Sequence, residues 1–128
     1  MIRIDNLSKN YGSVEAVKSI SFSLGDGEIV GFLGANGAGK STTLKIMTGY
    51  LTPTSGNVYV GDKNIIDDCL EIQKSVGYLP ELNPLYSEMK VHEYLKFHAA
   101  IRGIEGTDFT NALKKVVADC SLQAVSYT

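Results

Sequence analysis

The stretch Gly34-Ala35-Asn36-Gly37-Ala38-Gly39-Lys40-Ser41-Thr42 decides the fold of this 128-residue chain. It matches the pattern G-x-x-x-x-G-K-S/T, in which glycines let main-chain amides approach phosphate oxygens. The segment before it, residues 28–33, is short and mostly apolar, which predicts a buried parallel strand. After it, Leu44 and Met47 lie three apart on one helix face, and Gly49 is placed to end that helix. Strand, glycine loop and helix together predict a phosphate-binding loop.

The residue types of this loop suit a nucleotide triphosphate. Gly34, Gly37 and Gly39 lack Cβ atoms, so the main chain can adopt positive φ and turn its N–H groups toward an anion. A helix beginning near Lys40 adds unpaired N–H donors and the positive end of its dipole. Lys40 places a cation beside the β- and γ-phosphates, and the Ser41 hydroxyl can bind Mg²⁺.

Asn36 has two open roles. Its amide could reach the γ-phosphate, or the residue could simply tolerate a left-handed conformation in the loop. The predicted nucleotide contacts within the loop are Asn36, Gly37, Ala38, Gly39, Lys40, Ser41 and Thr42.

Composition bounds the class of protein. With 44% hydrophobic residues, 20% charged residues and a net charge of −2, the chain suits a soluble domain with a core. Its basic residues are scattered, which argues against a nucleic-acid partner. No signal peptide opens the chain, and no apolar run approaches the roughly 18 residues that span a bilayer. Cys69 and Cys120 share no metal-ligand spacing and are expected to be reduced thiols.

Hydrophobic periodicity predicts the elements around the loop. Alternation over residues 1–7 and 14–24 predicts two antiparallel strands, separated by a turn-rich stretch at residues 8–13. A short strand is expected at residues 57–60, then a helix capped by Asp67 or Asp68, then a strand at residues 76–79 that Pro80 ends.

The period changes to a helical one after residue 90. Apolar and aromatic residues from Val91 to Ile101 predict one helix that Gly103 ends, with His92 and His98 on its surface or in its packing. Thr107 and Asp108 are the expected N-cap of a second amphipathic helix, which carries apolar residues at helical spacing: Phe109, Ala112, Leu113, Val116, Val117 and Cys120.

Together these features resemble the N-terminal part of an ABC transporter ATP-binding subunit, over essentially the whole chain. The resemblance is carried by Tyr11, the loop at residues 34–42, the turn at residues 53–56 and residues 76–81. It implies an α/β P-loop NTPase fold of ABC ATPase type, in truncated form. The expected parts are an antiparallel β subdomain plus a partial parallel core sheet within residues 1–81. A Q-loop-like segment and a partial helical subdomain would follow within residues 82–128.

The resemblance also implies site residues outside the loop. The Tyr11 ring would stack on adenine, since a flat π-face can hold a base without hydrogen bonds. Glu81 stands where most members carry Gln, in a loop that touches Mg²⁺ and the attacking water. The run at residues 78–86 resembles exporter-type ATPases of the gliding-motility subgroup, in which Glu is usual at this position. Glu81 could bind the metal more directly or be held back by repulsion from the γ-phosphate. Ser41 and Glu81 are the predicted metal ligands, with ATP and Mg²⁺ as cofactors.

No catalytic residue is predicted within the chain, because it contains no L-S-G-G-Q-like signature, no apolar strand ending in Asp-Glu and no switch histidine after one. The chain is therefore expected to bind ATP and hydrolyse almost none. The resemblance implies a parent ATPase that pairs head to tail with a second ATP-binding subunit. Through transmembrane permease subunits it would power export from the cytoplasmic face of the plasma membrane. The alternatives are a P-loop kinase or GTPase, and a non-transport ABC protein acting on ribosomes or DNA.

Overall fold

A long antiparallel hairpin begins the chain. Strand β1 spans Ile2–Tyr11 and strand β2 spans Val14–Leu24, with Tyr11 opposite Val14 at the closed end. Gly12, in the turn between them, has φ of 58°, a left-handed conformation that glycine adopts without steric cost. The predicted turn at residues 8–13 is therefore wrong in extent, because β1 continues to Tyr11 and only two residues make the turn.

The computed structural model describes residues 1–83 and 85–123, and it divides the chain into one compact unit, Met1–Leu79, and another that begins at Pro80. In the first unit, β3 (Ser55–Val60) pairs with β1, and β4 (Lys63–Asn64) pairs with β3. The sheet order is β2-β1-β3-β4, and every pairing among the described residues is antiparallel.

Two helices supply the other side of the core. Helix α1 spans Lys40–Met47 and helix α2 spans Cys69–Ser75. Ile46 of α1 and Ile72 of α2 are fully buried in one cluster with apolar side chains of the sheet and of the segment after β4: Ile4, Leu7, Val17, Val58 and Ile65. Burial of this apolar surface is the main force that holds α1, and therefore the residues at its N-terminus, against the sheet.

Bulges in the hairpin explain why its core positions do not alternate regularly. Asn6 has φ of 50° and Ser19 has φ of 46°, so Leu7 points inward three residues after Ile4. Side-chain hydroxyls replace the interrupted ladder: the Asn6 N–H donates to Ser21 Oγ at 2.8 Å, and the Ser19 N–H donates to Ser8 Oγ at 3.0 Å. These serines lie within strands because they supply hydrogen bonds that the bulged main chain lacks.

Helix α1 ends as the sequence predicts. Gly49 has φ of 71°, its N–H donates to the Ile46 carbonyl at 3.0 Å, and the Tyr50 N–H donates to the Lys45 carbonyl at 2.8 Å. This pair of bonds is a Schellman motif, which satisfies carbonyls left free in the last turn. The predicted apolar face of α1 is correct only in part: Met47 packs against the core, but Leu44 is exposed, and the buried residues of the helix are Thr43 and Ile46.

The second unit contains α3 (Val91–Ile101) and α4 (Gly106–Asp119). Gly103, with φ of 70°, follows the end of α3 as predicted. The predicted N-cap at Thr107 and Asp108 is wrong, because α4 begins at Gly106 with Glu105 at its N-cap position. His92 packs edge to face against Phe109 of α4, with ring centroids 5.9 Å apart, so this histidine contributes to helix packing.

Two predicted strands are absent from the described residues. Residues 28–33 and 76–79 have no regular secondary structure, and the side chains of Ile29 and Leu33 are almost completely exposed. A strand needs hydrogen-bonding neighbours, and an apolar strand also needs cover on both faces. Within residues 1–83 and 85–123 these two segments pair with no strand. Phe32 packs against Phe22 and Val76 packs against the core, but most of the other apolar side chains of the two segments are exposed, so the predicted parallel part of the sheet does not form in the described residues.

Candidate nucleotide-phosphate site

The loop at residues 34–42 turns sharply into α1. The Ala38 N–H donates to the Ala35 carbonyl at 3.1 Å, which closes a turn, and Gly37 and Gly39 have φ of 83° and 84°. Gly39 is the N-cap residue of α1 and is left-handed, with no side-chain capping bond. Gly37 and Gly39 thus give the loop the curvature that brings main-chain N–H groups to one end of a helix. Gly34, the third glycine predicted to adopt positive φ, does not do so.

Gly39 also lies directly against strand β2. A Cβ atom at this position would be 2.2 Å from the Ala16 carbonyl oxygen and 3.2 Å from a Val17 methyl carbon. Glycine is therefore required at position 39 for two reasons: the positive φ, and the close approach of two main-chain segments. Contact with β2 fixes the start of α1 relative to the hairpin.

The first amides of α1 are available to a ligand. In the described part of the chain, the N–H groups of Lys40, Ser41 and Thr42 donate to no acceptor, whereas the Thr43 N–H donates to the Gly39 carbonyl at 2.8 Å. Unpaired N–H groups at a helix N-terminus carry partial positive charge and favour an anion. The exposed Ser41 hydroxyl lies at the same end of the helix.

The Lys40 side chain is held across the loop. Its ammonium nitrogen donates to the Gly34 carbonyl at 2.6 Å and to the Ala35 carbonyl at 2.7 Å. An ammonium has three donors, so two bonds to the loop leave one for an oxyanion. The loop carbonyls therefore hold the Lys40 ammonium at the loop, where it is expected to contact a phosphate.

The structure decides one of the two open roles of Asn36. Its φ is not positive, since Asn6, Ser19 and Ser121 are the non-glycine residues with positive φ in the described chain. The left-handed interpretation of Asn36 is therefore wrong for this structure. Contact with the γ-phosphate stays a prediction.

Tyr11 lies at the closed end of the hairpin that contacts Gly39. Its ring is 50% exposed, and the Lys9 ammonium lies over it, 5.5 Å from the ring centroid. Ala16, whose carbonyl faces Gly39, is two residues beyond Val14, the strand partner of Tyr11. Sequence reasoning missed both Ala16 and Lys9. The signal for Lys9 was its i, i+2 spacing from Tyr11, which places both on one face of a strand.

An open cleft of about 720 Å³ adjoins the loop. Its walls include Val17 and Phe22 of β2, Phe32, and the loop residues Gly37 and Ala38. The Phe22 and Phe32 rings pack with centroids 5.7 Å apart and form an apolar part of the lining, which also includes Glu15, Lys18 and Ser21.

Ser41 and Glu81, the two predicted metal ligands, lie in different units of the chain. Glu81 is exposed and, within residues 1–83 and 85–123, makes no hydrogen bond or ion pair. The described chain also contains no group of three histidine, cysteine, aspartate or glutamate side chains that could hold a metal ion. The donors at the loop fit a phosphate-bound Mg²⁺, because a hydroxyl is a hard oxygen ligand and Mg²⁺ usually shares its shell with phosphate oxygens.

A loop with two left-handed glycines that leads into a helix without a side-chain cap is the main-chain arrangement of a P-loop protein. Comparison with known families agrees, since the ABC transporter family model matches residues 17–127. The chain belongs to the ABC transporter family and corresponds to part of its ATP-binding domain.

Curated relatives are similar over most of this chain. An ABC transporter ATP-binding protein of Bacillus subtilis, YxlF, is 39% identical over 104 residues, which cover 81% of this chain and 34% of that protein. ATP-binding cassette sub-family A member 2 of Rattus norvegicus is 36% identical over 113 residues, or 84% of this chain and 5% of that protein. The chain therefore spans about a third or less of the length of these relatives.

Solved structures support the same fold. A structure of an ATP-binding subunit of an ABC transporter matches with a TM-score of 0.80 and 27% identity, over 98% of this chain and 53% of the other. A dimeric ATP-binding cassette in a post-hydrolysis state, bound to ADP and Pi, matches with a TM-score of 0.72 and 26% identity, over 89% of this chain and 55% of the other. The ABC ATPase type of fold predicted from the sequence is confirmed.

Proposed function

We propose that this chain binds ATP through the loop at residues 34–42. The observation that carries the proposal is the left-handed Gly39, which starts α1 against β2 and leaves the next three amides without acceptors. An anion at this position gains main-chain hydrogen bonds and the favourable field of the helix dipole. Family membership makes ATP the expected nucleotide and sets aside the kinase and GTPase alternatives.

Each part of the site has a distinct task in this proposal. Main-chain amides of Gly37 and Gly39, with those at the start of α1, hold the phosphate oxygens, and the Ala38 amide joins them by giving up its bond to the Ala35 carbonyl. Lys40 neutralises the terminal phosphates from its bridge between two loop carbonyls, and Asn36 contacts the γ-phosphate. Tyr11 holds the adenine by stacking, for which its half-exposed ring is available.

Mg²⁺ would be held by the Ser41 hydroxyl, with Thr42 beside it and Glu81 contributing from the Q-loop-like segment. When bound, the metal ion supplies charge neutralisation between the phosphates. We expect Ser41→Ala to lower the Mg²⁺-dependent part of ATP affinity, since it removes an oxygen ligand. Glu81→Gln tests the second ligand: an unchanged Mg²⁺ dependence would remove Glu81 from the metal shell.

In the parent protein, the proposed activity is ATP hydrolysis that powers export. Residues 1–81 would form the nucleotide-binding part and residues 82–128 the Q-loop-like segment with part of a helical subdomain. The parent would work as a head-to-tail pair of ATP-binding subunits on the cytoplasmic side of transmembrane permease subunits. Support comes from the family match and from dimeric cassettes among the similar structures. The described residues contain no helix with the length and apolar character required to cross a bilayer.

Hydrolysis by the 128-residue chain itself is expected to be almost undetectable. Phosphoryl transfer requires several groups that position water and neutralise charge, and the chain contains only the phosphate-binding ones. Because the chain is expected to bind ATP without turning it over, calorimetry tests the proposal and an activity assay does not.

The test is isothermal titration calorimetry, in which ATP with excess Mg²⁺ is titrated into the unmodified chain and into the Lys40→Met variant. Loss of a charge-assisted contact is expected to weaken ATP binding by about tenfold or more. Lys45→Met is the matched control, because Lys45 is exposed on the same helix and its side chain makes no hydrogen bond within the described residues. Equal affinities for Lys40→Met and Lys45→Met would overturn the proposal.

A further inference from the structure

The hairpin that carries Tyr11 is fastened to the segment that follows α1. The Lys9 ammonium donates to the Thr52 carbonyl at 2.7 Å. The Thr54 N–H donates to the Ser8 carbonyl at 2.9 Å, and the Asn10 N–H donates to Thr54 Oγ1 at 3.0 Å. Residues 8–10 and 52–54 are thus joined by three hydrogen bonds, which we call the strap.

The strap continues directly into the phosphate-loop helix. Tyr50 and Leu51 both donate to the Lys45 carbonyl in the last turn of α1, at 2.8 and 3.1 Å. Leu51 also packs against the buried core, so this connection is fixed by apolar contact as well as by hydrogen bonds. A short, bonded path therefore runs from Lys40 at the start of α1 to the end of β1.

Lys9 makes a second contact, which links the strap to the Tyr11 side chain. While its ammonium is bonded to Thr52, it lies over the Tyr11 ring at 5.5 Å from the centroid, within the range of a cation–π interaction. Lys9 covers one face of the ring and restricts its rotation, and the ring remains half exposed. An aromatic ring held in this way offers a free face to a partner that stacks, with part of the ordering cost already met.

From these contacts we infer that Lys9, with Thr54, is a positioning residue for adenine. The strap holds the Tyr11 ring at a fixed distance from the phosphate loop, so that one nucleotide reaches both. This inference rests on the proposed function, since it assumes that Tyr11 stacks on the base. It assigns to Lys9 a role in selecting a nucleoside triphosphate over triphosphate alone.

Comparing the affinities for two ligands distinguishes a positioning role of Lys9 from a general effect of its charge or of stability. ATP uses both the ring and the loop, whereas inorganic tripolyphosphate uses the loop alone. Lys9→Met is expected to weaken ATP binding by about three- to fivefold, the size of a partly exposed cation–π contact, and to leave tripolyphosphate binding unchanged. Lys9→Arg, which keeps a donor and a cation, restores ATP affinity. Thr54→Val, which removes the acceptor for Asn10, shifts the ratio in the same direction as Lys9→Met.

Tyr11→Ala and Lys114→Met complete the calorimetric series. Tyr11→Ala is expected to weaken ATP binding by at least about tenfold, as loss of a base stack does. Lys114→Met removes one exposed charge from the second unit and is expected to change neither affinity. If Tyr11→Ala weakens ATP binding and Lys9→Met does not, or if Lys9→Met weakens both ligands equally, the inference is overturned and the proposed function stands. If the unmodified chain binds neither ligand, the proposed function fails as well.

Discussion

The main-chain carbonyl of Ala16 and the α carbon of Gly39 approach so closely that no side chain fits between them. A Cβ atom on Gly39 would be 2.2 Å from that oxygen, and Gly39 also has φ of 84°. We expect Gly39→Ala to lower the free energy of unfolding by about 3 kcal/mol, the sum of a left-handed penalty and a steric clash. Urea unfolding followed by circular dichroism measures it.

Gly37→Ala is the matched control for that substitution. Gly37 has nearly the same φ, 83°, but open space where its Cβ would lie. Only the backbone penalty applies, so we expect a loss of about 1 kcal/mol. Similar losses for the two variants would show that contact with β2 does not constrain Gly39.

The buried face of α1 leads to a second prediction. Ile46 is completely buried in the core between α1, α2 and the sheet, whereas Leu44 is 38% exposed on the same helix. Ile46→Ala should therefore lower the free energy of unfolding by about 3 kcal/mol, because it leaves a cavity in the core. Leu44→Ala, measured in the same urea series, should lower it by less than about 1 kcal/mol. The reverse order would restore the helix face predicted from the sequence.

The phosphate loop was predictable because its requirements are local. Gly37, Gly39 and Gly49 are needed for φ values that depend on the immediate chain, and the helix between Lys40 and Met47 follows from the same stretch. The Gly39 contact was not predictable, since Ala16 is distant in sequence and contributes only a carbonyl oxygen, which every residue has. Side-chain patterns cannot indicate which main-chain atom will lie opposite a glycine.

The predicted parallel strands were wrong for a different reason. An apolar run such as residues 28–33 indicates that a segment will be buried if neighbours are present, but it does not supply those neighbours. The serines of β1 and β2 illustrate the opposite error. Residue type predicts a turn at Ser8, yet Ser8 lies in β1 and its hydroxyl accepts the Ser19 N–H at a bulge within the sheet. Tertiary context overrides local preference in both cases.

The carboxylate of Glu71 leads to a prediction on pH. Hydrogen bonding and charge from Lys74, followed by the charge of Lys63, lower the pKa of Glu71 below its ordinary value. A lowered pKa in the folded state means that these contacts stabilise the fold above the pKa of the unfolded carboxyl and are lost as pH falls through the folded value. Because the carboxylate is exposed, the effect on stability is small and screened by salt.

Carbon NMR of the Glu71 carboxyl measures that shift directly. Lys74→Met should raise the pKa of Glu71 more than Lys63→Met does, because the Lys74 contact is the shorter one, 2.6 Å against 3.7 Å. High salt should raise the pKa in the unmodified chain toward its ordinary value. A larger response to Lys63→Met would contradict the order of the two contacts.

The exposed segment at residues 28–33 predicts that the 128-residue chain associates with itself. Ile29 and Leu33 are almost completely exposed, and after Glu28 the segment contains neither charge nor proline. Within the described residues its main chain pairs with no strand, so its amides and carbonyls are free to pair with a second chain. We expect the mass measured by light scattering to rise with protein concentration, and Ile29→Lys to reduce that rise. Leu70→Lys is the control, because Leu70 is 75% exposed but lies on helix α2. A single monomeric species at high concentration, or equal effects of the two substitutions, would show that this segment does not mediate association.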